Sequence, residues 1–307
     1  ELVRLCRRLE PDLIHTHTPK VSVLGRIGAR LAGVPAIVNT QHGMYARPGD
    51  PLPRRLAVYA VERVAGAASH RELFVNRDDL DVMRGLGLPE DRVRLVPNGV
   101  DTGRFEPVST TERSQAKSRL GFDPDDVVVG AVGRLVAEKG FRELFEAMGT
   151  VQATVPGARL VVAGPEEPAK RDALGAGEIA EARAQGVTFL DFVEDMPGFY
   201  AGLDVFVLPS HREGLPVSPI EAGAMGLPSV VTDIRGSRDV VRDGDTGLLV
   251  TVGDAGGLAR ALVELAGDRG RREQLGAAAR TRVERHFDLD ENHRAIRAVY
   301  AELGVSP

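Results

Sequence analysis

The chain has 307 residues, 43% apolar and 27% charged, which is typical of a globular protein large enough for two domains. Its single cysteine excludes a disulfide framework and fits a reducing compartment, and no apolar run is long enough to cross a membrane. The net charge of −5 conceals an asymmetry: residues 1–119 carry 19 Lys and Arg against 14 Asp and Glu, whereas the remainder carries 20 against 30. The basic front part suits an anionic membrane surface or a phosphorylated acceptor. Nucleic-acid binding is not expected, because the chain has no dense basic run and no tryptophan.

The first third of the chain alternates between strand and helix patterns. Strands are predicted at 11–16, 34–40, 73–75 and 93–96, with a helix at 21–31. This rhythm predicts a parallel sheet with helices on its faces. A basic amphipathic helix is predicted at 54–68, with charged and apolar side chains at Arg47, Arg54, Arg55, Arg63, Leu52, Leu56, Val58 and Val61. Such a helix either lies on a membrane or packs its apolar face inward, and we favour the second because it is commoner.

A second strand–helix series follows a polar stretch. Its predicted strands are 127–132, 158–163, 187–190, 204–208, 229–232 and 246–250. Its predicted helices are 140–155, 171–185, 196–202, the segment around Glu221, 255–267, 271–287 and 291–303. We therefore divide the chain into an N-terminal domain (1–106), a linker (107–122), a C-terminal domain (123–288) and a final helix (289–307) that returns to the first domain.

Two carboxylates eight positions apart, Glu213 and Glu221, follow the strand predicted at 204–208. Glu213 falls in a loop, and Glu221 is expected about two helical turns later, roughly 11–12 Å along the axis. That spacing exceeds the separation of paired glycosidase carboxylates, and it suits two groups that reach different parts of one extended ligand. The alternative is a solvated loop charge and a surface helical residue. His211 either lines the same pocket or is solvated.

An anion site is predicted where the strand at 127–132 ends. Gly133 permits close approach of a ligand, Arg134 and Lys139 supply positive charge, and the next helix begins directly afterwards. The alternative is a surface ion pair of either cation with Glu138. Because Gly133 is not part of a G-x-G-x-x-G pattern and no P-loop is present, a dinucleotide-binding protein, an ATPase and a kinase are all disfavoured.

Three histidines lie near strand ends in the first part of the chain. His42 follows the strand predicted at 34–40, so it is expected to face the crevice of an open sheet, or else to cap its own loop. His15 and His17 alternate along the first strand. We expect them on opposite faces, as structural residues that do not line one site. A metal site formed by this pair is not expected.

Four motifs together carry a family resemblance. They stand in the order Pro97-Asn98-Gly99-Val100-Asp101, Gly133-Arg134 with Lys139, Glu213-x7-Glu221, and Asp243 to Val250. With these motifs the chain resembles the retaining glycosyltransferases of family 4, also called glycosyl transferases group 1. The resemblance implies the α/β GT-B architecture, in which two Rossmann-like domains face a cleft. Family members usually begin with further strand–helix units, so the resemblance also implies that this chain is N-terminally truncated.

The resemblance also assigns expected roles to individual residues. Glu221 matches the carboxylate that binds the nucleotide ribose, and Glu213, with the backbone amides of Gly214 and Leu215, matches the group that holds the donor sugar. Arg134 and Lys139, beside Gly133, match the pair on the donor diphosphate. His42 matches the histidine of the first domain beside the transferred sugar. Neither a cofactor nor a metal is implied, because the nucleotide sugar is a substrate and the diphosphate meets protein cations.

The implied reaction is transfer of a sugar, with retention of configuration, from a nucleotide sugar to a glycan or polyprenyl-diphosphate-linked acceptor. The segment Arg212-Glu213-Gly214-Leu215-Pro216 resembles members that build cell-surface polysaccharides or glycolipids, so a UDP-sugar is the favoured donor and a GDP-sugar the second. The expected location is the cytoplasm, with peripheral contact at the inner face of the membrane. The alternatives are a nucleotide-sugar 2-epimerase of the same fold and a non-catalytic nucleotide-sugar binding protein.

Overall fold

The chain folds into two compact units. The computed structural model describes residues 1–17, 19–46 and 49–305, with only the backbone of Pro19 and Lys20. The first unit comprises Glu1–Asn98 and Leu289–Pro307, and the second comprises Gly99–Asp288. Both are α/β units with a parallel sheet, as predicted. Within the described ranges, none of the helices combines the length and apolar character needed to cross a bilayer.

The elements follow one another in the alternation that the sequence predicts. The described strands are β1 (Leu13–His17), β2 (Ala36–Gln41), β3 (Arg71–Phe74), β4 (Val93–Leu95), β5 (Val127–Val132), β6 (Ala158–Ala163), β7 (Thr188–Leu190), β8 (Val205–Leu208), β9 (Ser229–Thr232) and β10 (Gly247–Val250). The described α-helices are α1 (Leu2–Leu9), α2 (Pro19–Ala32), α3 (Leu52–Ala68), α4 (Arg77–Gly85), α5 (Thr110–Arg119), α6 (Phe141–Thr154), α7 (Ala176–Ala184), α8 (Met196–Ala201), α9 (Ser218–Ala224), α10 (Ser237–Val240), α11 (Ala255–Gly267), α12 (Arg269–His286) and α13 (Leu289–Glu302).

The sheet of the first unit has the strand order β1-β2-β3-β4, with every neighbouring pair parallel. Strand β2 is buried at all six positions, as expected for a parallel strand covered on both faces. The last helix, α13, belongs to this unit, and its Val299 packs against Val38, Leu73 and Val96.

Buried charge lies between the helices and the sheet of this unit. The guanidinium of Arg26 is fully buried and bonds to Glu62 at 2.7 Å and to Glu72 at 2.9 Å. Asn39 and Ser69 also donate hydrogen bonds to Glu72. Burial raises the pKa of Glu72, and the charge of Arg26 opposes that rise. A carboxylate removed from water requires such partners to remain ionised.

Helix α3 packs in the opposite sense to the predicted one. Its inner face carries Glu62, Ala65 and Gly66, because Glu62 pairs with Arg26. Several of its apolar side chains instead face solvent, with Leu52 61% and Leu56 57% exposed. The expectation that the apolar face packs inward is therefore wrong for these residues. Arg47, which was grouped with this helix, lies outside the described residues.

The sheet of the second unit has the order β10-β9-β8-β5-β6-β7 and is parallel throughout. Apolar runs such as Val127–Val132 and Ala158–Ala163 fill its centre, and α6 and α11 pack on one face. The chain runs outward from β5 to β6 and β7, and then crosses back to β8 on the other side of β5. The switch point of this sheet is therefore between β5 and β8.

Three described helices, α4, α5 and the short α10, were absent from the prediction. Helix α4 begins at a cap in which the Asn76 side chain accepts a hydrogen bond from the Asp79 backbone N–H. Helix α5 begins with a capping box of Ser109 and Glu112 and packs on α8, within the segment 107–122 that was predicted as a linker. Both α4 and α5 are poor in apolar residues, so caps rather than periodicity mark them in the sequence. The division at 106 and 122 remains a prediction, whereas the second unit begins at Gly99.

Candidate active site

The candidate site of the second unit lies at the carboxyl ends of β5 and β8. These strands are parallel neighbours, with Val129 paired to Val205 and Gly130 paired to Phe206. The loop after β5 and the loop after β8 therefore emerge side by side, and the His211 backbone N–H donates to the Glu138 carbonyl at 2.8 Å. Crevices at such switch points are where open α/β sheets bind ligands.

An ion pair joins the two loops. Lys139 Nζ lies 2.6 Å from Glu213 Oε1, and these side chains are 20% and 12% exposed. Gly140 follows in a left-handed conformation (φ +72°), and a Cβ there would lie 2.0 Å from the Pro209 carbonyl oxygen. Only glycine allows the two loops to come this close. Helix α6 begins at the next residue, so its positive end adjoins the pair.

The other ionisable groups at this edge also have partners. Arg134 Nη1 pairs with Glu167 at 3.2 Å, Arg212 Nε pairs with Glu138 at 2.8 Å, and His211 Nε2 lies 2.7 Å from Glu143. Neither Arg134 nor Lys139 pairs with Glu138, which was the alternative considered from the sequence. The positive groups of this edge are thus held by carboxylates that an anionic ligand would have to displace or share.

Glu221 lies in the first turn of α9 and is partly buried. Helix α9 begins only at Ser218, so the prediction that Glu221 stands two helical turns after Glu213 is wrong: most of the intervening segment is loop. The hydroxyl of Tyr200, which is fully buried on α8, donates to Glu221 Oε2 at 2.8 Å. Burial raises the pKa of Glu221, whereas the Tyr200 hydrogen bond and the charge of Arg104 lower it.

The backbone around Gly214 and Leu215 contacts the loop after β9. Gly236 has φ +77°, and a Cβ at that position would lie 2.0 Å from the Gly214 carbonyl oxygen and 3.2 Å from Leu215 Cα. A side chain at position 236 would therefore push the two loops apart. Gly133 lies against the side chain of Lys139: a Cβ at position 133 would be 3.5 Å from the nearest carbon atoms of that side chain.

The first unit carries a cluster of histidines at the carboxyl ends of β1 and β2. His15 and His17 stack with ring centroids 4.2 Å apart, so the expectation that they point to opposite faces is wrong. Residues two apart on a strand share a face, because side chains alternate with a period of two. His17 Nδ1 lies 3.0 Å from Nε2 of His42, which follows β2. His15 bonds to Tyr300 Oη and Thr40 Oγ1.

Burial keeps this cluster uncharged near neutral pH. It lowers the pKa of His15 to about 4, with additional repulsion from His17 and His42. Burial also lowers the pKa of His17, and burial followed by repulsion from His17 lowers that of His42. The edge of the first sheet therefore presents neutral imidazoles, which donate or accept hydrogen bonds without carrying charge.

Comparison with known proteins identifies the family. A family model described as Glycosyltransferase Family 4 matches residues 1–104, and one described as Glycosyl transferases group 1 matches residues 126–268. The putative glycosyltransferase EpsD of Bacillus subtilis (strain 168) is 32% identical over 86% of this chain and 70% of its own length. The chain belongs to glycosyltransferase family 4. It is therefore a glycosyltransferase by family, as the sequence motifs predicted.

Two further relatives of this family 4 chain are informative. An Escherichia coli protein named UDP-Gal:alpha-D-GlcNAc-diphosphoundecaprenol alpha-1,3-galactosyltransferase is 28% identical over 99% of this chain and 79% of its own. The crystal structure of Anabaena Alr3699/HepE in complex with UDP superposes with a TM-score of 0.84 at 22% identity, covering 98% of this chain and 81% of that chain. The structural likeness confirms the predicted GT-B fold.

The predicted site residues of the family 4 chain divide between the two units. His42 belongs to the first unit, whereas the others, Gly133, Arg134, Lys139, Glu213, Gly214, Leu215 and Glu221, belong to the second. Their roles in catalysis and binding remain predictions. Sequence reasoning missed Tyr200 and Glu167 because partners distant in sequence leave no local pattern. It also missed His17, although the period of two along β1 would have placed that residue beside His15.

Proposed function

We propose that this chain transfers a sugar from a nucleotide-sugar donor to a glycan or polyprenyl-diphosphate-linked acceptor, with retention of anomeric configuration. A UDP-sugar is the favoured donor and a GDP-sugar the second. The product is part of a cell-surface polysaccharide or glycolipid assembled at the cytoplasmic face of the membrane. In this proposal, cationic side chains of the protein, rather than a metal ion, stabilise the leaving diphosphate.

The Lys139–Glu213 pair at the switch point of the second sheet carries this proposal. It holds a cation and a carboxylate together where the positive end of α6 begins. A nucleotide sugar has a diphosphate, which requires positive charge. It also has a sugar, whose hydroxyls require a hydrogen-bond acceptor. One ligand of this kind satisfies both members of the pair, and Arg134 adds a second cation on the loop after β5.

The proposed mechanism places charge stabilisation on the leaving diphosphate. Arg134, Lys139 and the N-terminal end of α6 neutralise the negative charge that develops as the bond from sugar to diphosphate breaks. The acceptor attacks from the same face, and the departing phosphate oxygen takes its proton, so configuration is retained. His42 contacts the transferred sugar, and Glu213 with the Gly214 and Leu215 amides holds it. Glu221 accepts hydrogen bonds from the ribose hydroxyls.

The names of similar proteins support the donor and acceptor classes. The E. coli relative is named for a UDP-galactose donor and a diphosphoundecaprenol-linked acceptor, and the similar Anabaena structure contains UDP. These are properties of those proteins. They make a UDP-sugar the first donor to test and a lipid diphosphate-linked glycan the first acceptor.

Calorimetric titration with UDP, GDP, ADP and their sugars tests the donor site. Loss of a hydrogen bond to a charged group should cost about 1.5–3 kcal/mol, or roughly 10- to 100-fold in affinity, in Glu221→Ala and in Arg134→Ala. Glu273→Ala removes an exposed carboxylate on α12 and serves as the control with wild-type affinity. Wild-type chain that binds no nucleotide, or variants that bind as tightly as wild type, would contradict the proposed donor site.

Product analysis tests the reaction itself. Proton NMR of the product formed from an α-linked nucleotide sugar and a lipid diphosphate-linked acceptor should show an α-linkage. A β-linked product would rule out retention. Release of a 2-epimerised sugar with no transfer would rule out the transferase function for this chain.

We also propose that helix α3 contacts an anionic membrane surface. Leu52, Leu56 and Val64 on this helix are each more than half exposed, and Arg54 lies among them. Exposed apolar side chains interspersed with cations are the pattern by which helices bind at a lipid interface. Flotation with liposomes should show a preference for anionic over zwitterionic lipid that is lost in Leu52→Ser with Leu56→Ser. Equal flotation with both lipids would contradict the proposed contact of α3 with an anionic membrane.

A further inference from the structure

His17 and His42 form a direct imidazole–imidazole hydrogen bond. His17 is the last residue of β1, and His42 directly follows the neighbouring strand β2, so parallel pairing brings both to the same sheet edge. His17 Nδ1 and His42 Nε2 are 3.0 Å apart, and the ring centroids are 5.3 Å apart with a 30° angle between the planes. The distance between the two nitrogens is that of a well-formed hydrogen bond.

A second histidine supports the ring of His17. His15 stacks on it at 4.2 Å with an interplanar angle of 30°. His15 is itself held at both ring nitrogens, by Tyr300 Oη at 2.6 Å and by Thr40 Oγ1 at 2.7 Å. The chain of contacts therefore runs from α13 and β2 through His15 to His17 and ends at His42. A ring held at several points has little freedom to rotate.

The hydrogen bond restricts where protons can be on both rings. One proton lies between His17 Nδ1 and His42 Nε2, and each neutral imidazole carries one proton in total. If His17 Nδ1 carries that proton, the proton of His42 is on Nδ1. If His42 Nε2 carries it, His42 Nδ1 is an acceptor and the proton of His17 is on Nε2. The tautomers of the two rings are thus coupled, and His42 Nε2 is engaged in both cases.

We propose that His17 is a positioning residue for His42, holding its ring through Nε2 and coupling the tautomers of the two rings, so that Nδ1 is the nitrogen that meets the transferred sugar. The side chain of His42 remains partly open to solvent, and its Nδ1 has no hydrogen-bond partner among the described residues. This inference rests on the proposed glycosyl transfer, in which His42 contacts the sugar. A fixed ring matters there because a misdirected donor or acceptor loses its hydrogen bond to the substrate.

The surroundings favour a neutral pair. Among the side chains that the structure describes, the titratable groups facing it are His15 on β1 and, behind His15, Tyr300 on α13. Burial lowers the pKa of all three histidines, and repulsion from His17 also lowers that of His15 and that of His42. Above about pH 6.5, the ordinary pKa of histidine, both imidazoles of the pair are therefore uncharged, and one proton lies in the hydrogen bond between them.

Nitrogen-15 NMR of histidine-labelled protein tests the coupling without any substrate. The His42 signals are assigned by their loss in His42→Gln. At pH 7.5 we expect the tautomer populations of wild-type His42 to differ from those of an imidazole without a partner. In His17→Phe, which keeps a ring to stack on His15 but lacks Nδ1, the His42 populations should shift to those of an imidazole without a partner. An unchanged His42 spectrum in His17→Phe would overturn the proposal.

Sugar transfer and nucleotide binding provide a second test. His17→Phe should lower the transfer rate from a UDP-sugar by about 10- to 100-fold, the cost of a misplaced group at a reacting centre. Affinity for UDP should stay at the wild-type value, because the proposed nucleotide contacts are in the second unit. His17→Asn, whose amide nitrogen replaces Nδ1, should recover most of the lost rate. Equal losses in both variants would indicate a packing role and contradict the proposal.

The two tests separate this inference from the proposed function. If wild-type protein binds no nucleotide and transfers no sugar, the proposed function fails, whereas the NMR result still decides whether the tautomers of His17 and His42 are coupled. If transfer occurs and His17→Phe matches wild type in rate and spectrum, the function stands and the inference fails. Should His17→Phe not fold, the tautomer state of His42 in His17→Asn decides the question.

Discussion

The two units differ in the groups that they present at the carboxyl edges of their sheets. The first unit buries an arginine and two glutamates beneath its sheet and presents neutral histidines at the carboxyl edge. The second unit has part-exposed ion pairs such as Lys139–Glu213 at its carboxyl edge, and it also buries a pair of Lys117 and Asp204 before β8. Charges at an edge can exchange partners with a ligand, whereas buried charges cannot do so without unfolding. The second unit is therefore suited to bind an anion, and the first to direct a hydrogen bond.

Removal of Arg26 should have the largest effect. Arg26→Met leaves Glu62 and Glu72 buried without their cation, so the free energy of unfolding should fall by about 3–5 kcal/mol in urea titration. Arg269→Met is the control, because its pair with Glu273 is exposed and should change stability by less than about 1 kcal/mol. If the two variants lose equal stability, the distinction between buried and exposed charges fails.

Acid should destabilise the first unit through its histidines. Unfolded His15 takes up a proton below its ordinary pKa of 6.5, whereas the folded residue does so only near 4. This contribution to stability is therefore complete above pH 6.5 and is lost as the pH falls towards 4. We expect a loss of about 2 kcal/mol, discounted from the full shift because the ring is only part-buried.

Urea unfolding between pH 7.5 and 4 measures this effect. The decline should be smaller in His15→Phe, which has no imidazole to protonate. Tyr300→Phe loses one hydrogen bond to His15 but keeps the imidazole, so it should lower stability at every pH without flattening the profile. Parallel profiles for wild type and His15→Phe would show that His15 does not cause the acid sensitivity.

The hydroxyl of Tyr200 should tune the affinity of the second unit for nucleotide. Tyr200→Phe keeps the ring packed against Phe105, Phe199 and Phe206 but removes the donor to Glu221. Glu221 then loses a group that favours its charged form, and UDP affinity at pH 7 should fall about tenfold. The loss should deepen as the pH is lowered, because the pKa of Glu221 rises further in the variant. Calorimetry that gives the same affinity for both proteins across this range would argue against the role of Tyr200.

The smallest expected effect comes from a competing carboxylate. Glu167 pairs with Arg134, so Glu167→Gln should leave that guanidinium more available and raise UDP affinity by up to about threefold. Glu166→Gln is a matched control, because this neighbouring carboxylate pairs with Arg183 instead. The gain should shrink in high salt, since screening weakens the competing pair. Weaker binding in Glu167→Gln would mean that Glu167 supports the site rather than competing for it.

The sequence predicted most of the architecture because its signals are local. Apolar runs placed β6 and β9 at the bounds that they have in the structure, and the alternation with helices indicated two parallel sheets. Helix α5 was missed because its stability comes from a capping box and from packing on α8 rather than from an apolar stripe. The face of α3 that packs inward was also missed, because the buried partner of Glu62 is 36 residues away on α2.

By itself the sequence determined the fold class, the family and the edge at which the charged motifs gather. Each depends on neighbouring residues: strand and helix periods, glycines at tight turns, and motifs that follow strand ends. The tertiary structure decided which groups act on one another. Tyr200 reaches Glu221 across 21 residues, His17 reaches His42 across 25, and Lys139 reaches Glu213 across 74. Hydrogen bonds and ion pairs depend on distances of about 3 Å, which only the packing of strands and helices sets.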